Sequence, residues 1–304
     1  MITLHDVTVA LDTLFRVEDL EHDPAMSRFV PAVYAEAGIA WQRYVTPEFA
    51  ARFNGLMVRG ADQLGRVYAA TFPSAAVLDT WLIQAHSGDL LVTHHPIDCR
   101  NGDPQGAWGA GFVAISQGRL DAIAGRRLSI YACHAPMDTT EQVGTTSAMV
   151  EALAGRVESE FWEYGAGYAG RICAIAPLST GELHAQLLRT YHLPYLEQEG
   201  PRHERIETVA VVAGVGDKLN VMETAERLGA QAYVTGELHV RIKGEYGRSK
   251  YAQVEAFAQR TRMSLFGVSH AASEHLVMET QLPRWFREAF ELEVRPIREP
   301  HWWR

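Results

Sequence analysis

Three short apolar runs, far apart in the chain, each end in histidine or carboxylate side chains. This recurrence constrains the fold more than any other feature. Asp89-Leu-Leu-Val-Thr93 delivers His94-His95-Pro96, Leu128–Cys133 delivers His134-Ala-Pro-Met-Asp138, and Ser264–Val268 delivers Ser269-His270 with Glu274 beyond it. Runs this short and apolar suit strands buried on both faces, as in parallel sheets covered by helices. Ahead of the first, Val67-Tyr-Ala-Ala-Thr-Phe72 reads as another strand, stopped by Pro73. Ser74 then caps a helix over Ala75–Ala85, with Gly88 at its C-terminal stop. The result is a β-α-β unit that sets His94 and His95 at the carboxyl edge of a sheet, where open α/β proteins place their ligands.

The rest of the chain follows the same grammar. A helix around Phe112–Ile123, interrupted by Gly118, leads to the second run. Then come a strand Thr208–Ala213, a helix Val221–Leu228, a strand Ala232–Thr235 and a helix Tyr251–Gln259. An apolar stretch after Glu274 is broken at Pro283. The first sixty residues are less regular: Val7–Phe15 has helical spacing, and Glu18–Pro31 reads as loop. The class is α/β.

Composition narrows the partners. The chain has 304 residues, enough for one large domain or two modest ones. A net charge of −9 gives no basic face for a nucleic-acid duplex. The opening MITLHDVTVALDTLF has neither the charged start nor the unbroken apolar core of a secretory signal, and no run is long enough to span a bilayer. Cys99, Cys133 and Cys173 form no CxxC pair, so a reducing cytoplasm is the expected compartment. Thirteen histidines, some of them clustered, are the unusual feature.

At a strand end, where Pro96 fixes the turn, His94 and His95 can face one cavity yet address different points. That arrangement suits two adjacent metal ions better than one. Asp138 supplies negative charge and two oxygens. His270 and Glu274, four apart, share one face if a helix begins near Ala271. Imidazole with carboxylate suits Zn, Mn, Fe, Co or Ni. The bland alternatives are an unremarkable His-His pair, a solvated i,i+4 pair and a helix N-cap at Asp138; the residues alone leave both readings open.

Leu90-Leu-Val-Thr-His-His-Pro-Ile97, Tyr131-Ala-Cys-His-Ala-Pro-Met-Asp138 and Gly267-Val-Ser-His-Ala-Ala-Ser-Glu274 resemble, in order and spacing, signature segments of the Nif-three-like family. These dinuclear-metal proteins often carry the label GTP cyclohydrolase I type two-like. Asn54-Gly-Leu-Met-Val58, Val209-Ala-Val-Val-Ala-Gly-Val-Gly216 and Ala230-Gln-Ala-Tyr-Val-Thr-Gly-Glu237 extend the resemblance from about Asn54 to Phe286. It implies two interleaved α/β lobes with mixed sheets flanked by helices, and two divalent ions in the cleft between them. The first lobe is expected to comprise residues 1–138 and 251–304, the second 139–250. The implied ligands are His94, His95, Asp138, His270 and Glu274, with Asp138 or Glu274 bridging. His134 falls on a family histidine near the metals. A ring-shaped homohexamer is implied as well. The family's His-Thr-Asn-Leu-Asp phrase stands here as His-Ala-Pro-Met-Asp, and Asp98-Cys-Arg100 replaces apolar residues, so the cavity wall differs from that of relatives.

Thr235-Gly-Glu237 and His239 lie at another strand end; Glu237, His239 and His134 are the expected proton carriers. Gly214-Val-Gly216-Asp217 lacks a third glycine and a Lys-Ser/Thr, and reads as a tight turn rather than a phosphate loop. Cys99 and Cys133 read as small buried residues rather than nucleophiles. The tail His301-Trp-Trp-Arg304 reads as a subunit contact unless it packs on its own fold. The expected function is metal-dependent hydrolysis of a nucleotide or another phosphorylated or heterocyclic metabolite through a metal-activated water. The alternative is a non-catalytic metal-binding, regulatory or scaffold protein. A single-metal TIM barrel fits poorly, because too few strand–helix repeats are present.

Overall fold

The computed structural model describes residues 2–304. Its strands in chain order are β1 (Gly55–Val58), β2 (Val67–Ala70), β3 (Leu90–Thr93), β4 (Asp98–Arg100), β5 (Gly111–Val113), β6 (Ser129–Ala132), β7 (Arg156–Tyr164) and β8 (Gly167–Leu178). They continue with β9 (Glu197–Glu199), β10 (Ile206–Val215), β11 (Ala232–Glu237), β12 (Ser264–Gly267) and β13 (Val294–Pro296). Two mixed sheets dominate. The first has the order β1-β6-β3-β2-β13 and is parallel except for β1. The second has the order β7-β8-β10-β11-β12-β9, with a parallel centre β10-β11-β12 between antiparallel flanks. β4 and β5 form a separate antiparallel pair.

Alternation along each strand feeds two cores. In the first sheet, Tyr68, Ala70, Leu91 and Ile130 join one apolar cluster, while Val67, Ala69, Leu90, Val92 and Tyr131 join the cluster on the opposite face. The second sheet divides in the same way, Val209, Val211, Val234 and Phe266 facing one side and Ala210, Val212, Tyr233 and Leu265 the other. Period-2 geometry with both faces covered explains why these runs show no polar interruption.

The two sheets meet at one helix. His270–Glu279 packs against the helix Thr145–Ala152, against β10 and β11 of the second sheet, and against β2 of the first. Its Leu276 contributes to clusters belonging to both sheets. The chain therefore passes from β12 in the second sheet, through this helix and the helix Gln281–Phe290, back to β13 in the first.

Several elements differ from the sequence reading for identifiable reasons. The stretch expected as one helix over Phe112–Ile123 divides into β5 and a helix Gln117–Gly125, because Phe112 pairs with Cys99 and packs on the Phe29 ring at 4.4 Å. Within the expected loop Glu18–Pro31, a helix begins at Met26 and runs to Glu36. Pro31 lies inside it, and an interior proline argues against a helix on local grounds alone. The break near Pro283 falls instead at Thr280, and Pro283 sits in the first turn of the next helix, where its missing N–H costs little. The tail packs on its own fold: Trp303 is buried, donates from Nε1 to the Tyr195 carbonyl at 3.2 Å and stacks on the Tyr195 ring. No helix among the described residues is long and apolar enough to cross a membrane.

Candidate metal centre

β3, β6 and β12 each end beside the connecting helix, and each hands over its polar residues there. The ladder continues past β3: the backbone N–H groups of His94 and His95 donate to the carbonyls of Ala70 and Thr71 at 3.3 and 3.0 Å. This fixes both imidazoles at the sheet edge, with ring centroids 4.5 Å apart and planes 80° apart. After β6, the Cys133 N–H donates to the Thr93 carbonyl at 3.1 Å and the chain turns into the short helix Ala135–Thr139, which carries Asp138. After β12, Ser269 adopts φ 74° and caps the helix that starts at His270, one residue earlier than expected.

These residues converge. Glu274 Oε1 lies 3.0 Å from His270 Nε2 and 3.5 Å from His94 Nε2, and Glu274 Oε2 lies 2.9 Å from His95 Nε2. Asp138 Oδ1 lies 3.3 Å from His94 Nε2. Three sets of ligand atoms each fall within 4.8 Å of one another: His94, His95 and His134; His95, His270 and Glu274; His94, Asp138 and Glu274. The second and third sets share only Glu274. Two atoms each about 2.1 Å from one tetrahedral ion stand about 3.4 Å apart, so this spacing suits shared metal ligation.

The surroundings fit the same use. His94 Nδ1 donates to the Cys133 carbonyl at 2.9 Å, which leaves the buried Nε2 without a hydrogen-bond partner and aimed at the carboxylates. A ligating imidazole is normally oriented through its other nitrogen in this way. His270 Nδ1 lies 2.9 Å from the Asn101 carboxamide. The Phe72 ring stacks on His95 at 4.4 Å and closes that side. Gly214, at φ 64°, lies near the end of β10, and a Cβ there would stand 2.3 Å from Glu274 Oε1 and 3.3 Å from His270 Nε2. Backbone can approach the carboxylate this closely only because the residue is glycine.

Charge is concentrated and desolvated. Burial alone would raise the Glu274 carboxyl, yet His270, His94 and His95 hold it well below the usual range. Burial opposes a proton on His94, but Glu274 and Asp138 outweigh it and raise that imidazole well above its ordinary value. On His95 burial wins and the imidazole is lowered. Divalent cations would replace protons as the partners of these carboxylates.

His134 stands against the group, its centroid 4.8 Å from His95 and 5.0 Å from His94. Its Nδ1 pairs with Asp23 at 3.1 Å, and its Nε2 lies 3.9 Å from Asp138. Burial disfavours its charge, but Asp23 more than compensates and raises it. Sequence reasoning missed Asp23, which also accepts from the N–H groups of Ala25, Met26 and Ala135, and from Asn54 Nδ2. A single acid in an irregular loop carried no signal. Asn101, also in a loop, was missed for the same reason, and Tyr164, 6.0 Å from His134, because it ends the exposed strand β7.

The other expected residues divide. Glu237 is buried and accepts from the His270 N–H at 3.3 Å; burial and neighbouring Glu197 raise its carboxyl well above the usual range. His239 makes different partners: Nε2 pairs with Glu199 at 2.7 Å and the ring stacks on Tyr251 at 4.3 Å. Cys99 and Cys133 are buried thiols raised well above their ordinary value by desolvation, as inert cysteines are.

Fold and site together define an α/β protein with a buried imidazole–carboxylate cluster between two mixed sheets. The chain belongs to the Duf34/NIF3 (NGG1p interacting factor 3) family, whose profile matches residues 44–300. A "GTP cyclohydrolase 1 type 2 homolog" from Pyrococcus abyssi is 27% identical over 261 residues, 81% of this chain and 89% of that protein. A protein of the same description from Archaeoglobus fulgidus is 27% identical over 60% of this chain and 69% of its own length. Among solved structures, TTHA1606 from Thermus thermophilus superposes with a TM-score of 0.65 at 20% identity, covering 99% of both chains. Reduced HcgD from Methanocaldococcus jannaschii gives 0.62 at 14% identity over 97% of each chain.

Proposed function

We propose that the chain binds two divalent metal ions and acts as a metal-dependent hydrolase on a nucleotide or another phosphorylated or heterocyclic metabolite. One observation carries the reading: two ligand sets, His95 with His270 and Glu274, and His94 with Asp138 and Glu274, share a single carboxylate. Glu274 would then be held in common by both ligand sets, and its two oxygens face different imidazoles. Ions of the Zn, Mn, Fe, Co or Ni type suit this donor set and would supply Lewis-acid activation of water and polarisation of the bond attacked.

This chain's own residues do the rest. His94 is held through Nδ1 and presents Nε2; His95 is held by the Phe72 stack. His134, paired with Asp23 and facing Asp138, is placed to hold or release a proton at Nε2. Glu237, its carboxyl raised by burial and by neighbouring Glu197, is the second candidate proton donor. The contacts of His239 with Glu199 and Tyr251 give it less claim to a proton-carrying role. The resemblance further supports a homohexameric ring, which sedimentation equilibrium would check.

The test is turnover. Metal-reconstituted protein is incubated with nucleoside mono-, di- and triphosphates and with cyclic phosphodiesters, beside Asp138→Asn. The reading predicts hydrolysis that falls by at least about 100-fold in the variant. The near-complete burial of His94, His95, His270 and Glu274 also favours a second reading, a non-catalytic metal-binding protein. Full metal occupancy with no turnover of any of these compounds would select it.

A further inference from the structure

A continuous wall runs outward from the ligand cluster, and the metal reading does not use it. His134 touches Tyr164 edge-on with centroids 6.0 Å apart, and Tyr164 lies 5.5 Å from Trp162. Over the Trp162 ring, 4.2 Å from its centroid, sits the ammonium of Lys218. Tyr164 and Trp162 stand two apart on β7. Lys218 immediately precedes the helix Leu219–Arg227, where the loop leaving β10 through Gly216 ends. The wall thus joins β7 and the β10 loop on one side of the ligand cluster.

Three features set this wall apart from ordinary surface. Lys218 is partly buried, yet among the described residues no carboxylate lies within ion-pair distance of its ammonium. The neighbouring Asp217 is engaged by Lys250, with Lys250 Nζ 3.2 Å from its carbonyl and 3.8 Å from Oδ1. Tyr164 is likewise half-buried, and its hydroxyl makes no hydrogen bond to protein among the described residues. Trp162 adopts φ 62°, although the residues on either side of it remain paired, Phe161 with Gly170 and Glu163 with Tyr168. A bulky residue in the left-handed region within a strand is strained, and such strain clusters where a side chain must be aimed. Beyond ion-pair distance, Lys218 feels Asp217 and Asp138 as well as Lys250 and Arg28, and Tyr164 feels Asp23, Asp138 and Glu274 as well as Arg28.

We propose that Trp162, Tyr164 and Lys218 form the subsite for a small molecule that joins a planar ring to a phosphate group. The proposal rests on the reading of the adjacent cluster as a metal-dependent reaction centre and names the substrate class it takes. Trp162 and Tyr164 provide the stacking face; a planar ring is recognised by aromatic side chains whatever its hydrogen-bonding edge. Lys218, with no carboxylate at ion-pair distance, takes the anion as a point charge. The subsite ends at His134, so a ring–phosphate compound lying along it reaches the ligand cluster with its far end.

Calorimetric titration of zinc-loaded full-length chain tests this, with adenosine monophosphate, adenosine and inorganic phosphate as probes and with metal content measured in each sample. Adenosine monophosphate is expected to bind at least about tenfold more tightly than adenosine. Lys218→Gln is expected to abolish that preference while adenosine still binds, and Lys218→Arg to restore it. Trp162→Leu is expected to weaken both adenosine compounds by about tenfold. Adenosine monophosphate that binds Lys218→Gln as tightly as the parent overturns the proposal, since the ions alone would then hold the phosphate. Absence of saturable binding in samples that carry their full metal overturns the subsite and leaves the metal centre standing. Absence of metal overturns the centre instead.

Discussion

Glu274 Oε2 lies 2.9 Å from His95 Nε2, although the two residues are 179 positions apart in the chain. The contact spans the junction between the two sheets: His95 follows β3 of the first, and Glu274 rides on the helix that packs against both. Ligand convergence therefore depends on how the sheets dock, and a variant that loosens the docking disturbs the centre without touching a ligand.

Gly214 acts on a ligand directly. With φ 64° and no room for a Cβ beside Glu274 Oε1, Gly214→Ala must move either the strand end or the carboxylate. We expect a loss of about 1–3 kcal/mol in stability and a larger proportional loss of metal affinity. Urea unfolding and competitive metal titration of the variant check this. Parent-like metal affinity would show that the backbone does not need to approach the ligand.

Asp23 organises the other wall. It is fully buried and accepts from the Met26 N–H at 2.7 Å and from the Ala135 N–H at 3.0 Å, besides pairing with His134. Asp23→Ala leaves these donors without a partner, and we expect a cost of about 2–4 kcal/mol. Asp23→Asn retains part of the bonding and should be milder. Denaturant midpoints of the two variants decide the order.

The connecting helix also carries a pH signature at its C-terminal end. Burial alone would raise Glu279, but His275, with Nε2 3.4 Å away, and the hydrogen-bonded Arg298 guanidinium lower its carboxyl from 4.5 to about 2. A depressed carboxyl contributes stability that is fully present above the unfolded value and disappears as pH falls through the folded one. Stability should therefore drop between about pH 4.5 and 2, by on the order of 1–2 kcal/mol after solvent screening. Glu279→Gln should flatten that part of the profile, measured by urea unfolding at stepped pH; an unchanged slope would contradict the assignment.

The parts of this molecule that were legible in the sequence share one physical property. β2, β3, β6, β11 and β12 are buried on both faces, so their apolar runs are uninterrupted and their polar ends stand out. His94, His95, Asp138, His270 and Glu274 were visible because they closely follow such runs. β7 was not legible, since most of its residues are exposed and no alternation marks it. The helix Met26–Glu36 was hidden by Pro31, and β5 by a tertiary pairing with Cys99 that no local pattern encodes. Asp23, Asn101 and Lys218 lie in loops or at helix ends, where function leaves no periodic trace.

The tail makes a last structural test. Trp303 is buried against Tyr195, while the Arg304 guanidinium reaches Asp98 at 2.8 Å and lies 5.6 Å over the Phe72 ring that stacks on His95. Trp303→Ala should cost about 3–5 kcal/mol by emptying a packed site. Thermal unfolding reads the effect, and a change below about 1 kcal/mol would mean that the tail is not held as described.

The most direct measurement is the metal content per chain, by elemental analysis of protein purified without added metal or chelator, beside a His94→Ala/His95→Ala double variant. The account predicts about two transition-metal ions per chain in the parent and near-complete loss in the variant. No metal in the parent, even after reconstitution with Mn, Zn, Fe, Co and Ni, would contradict it.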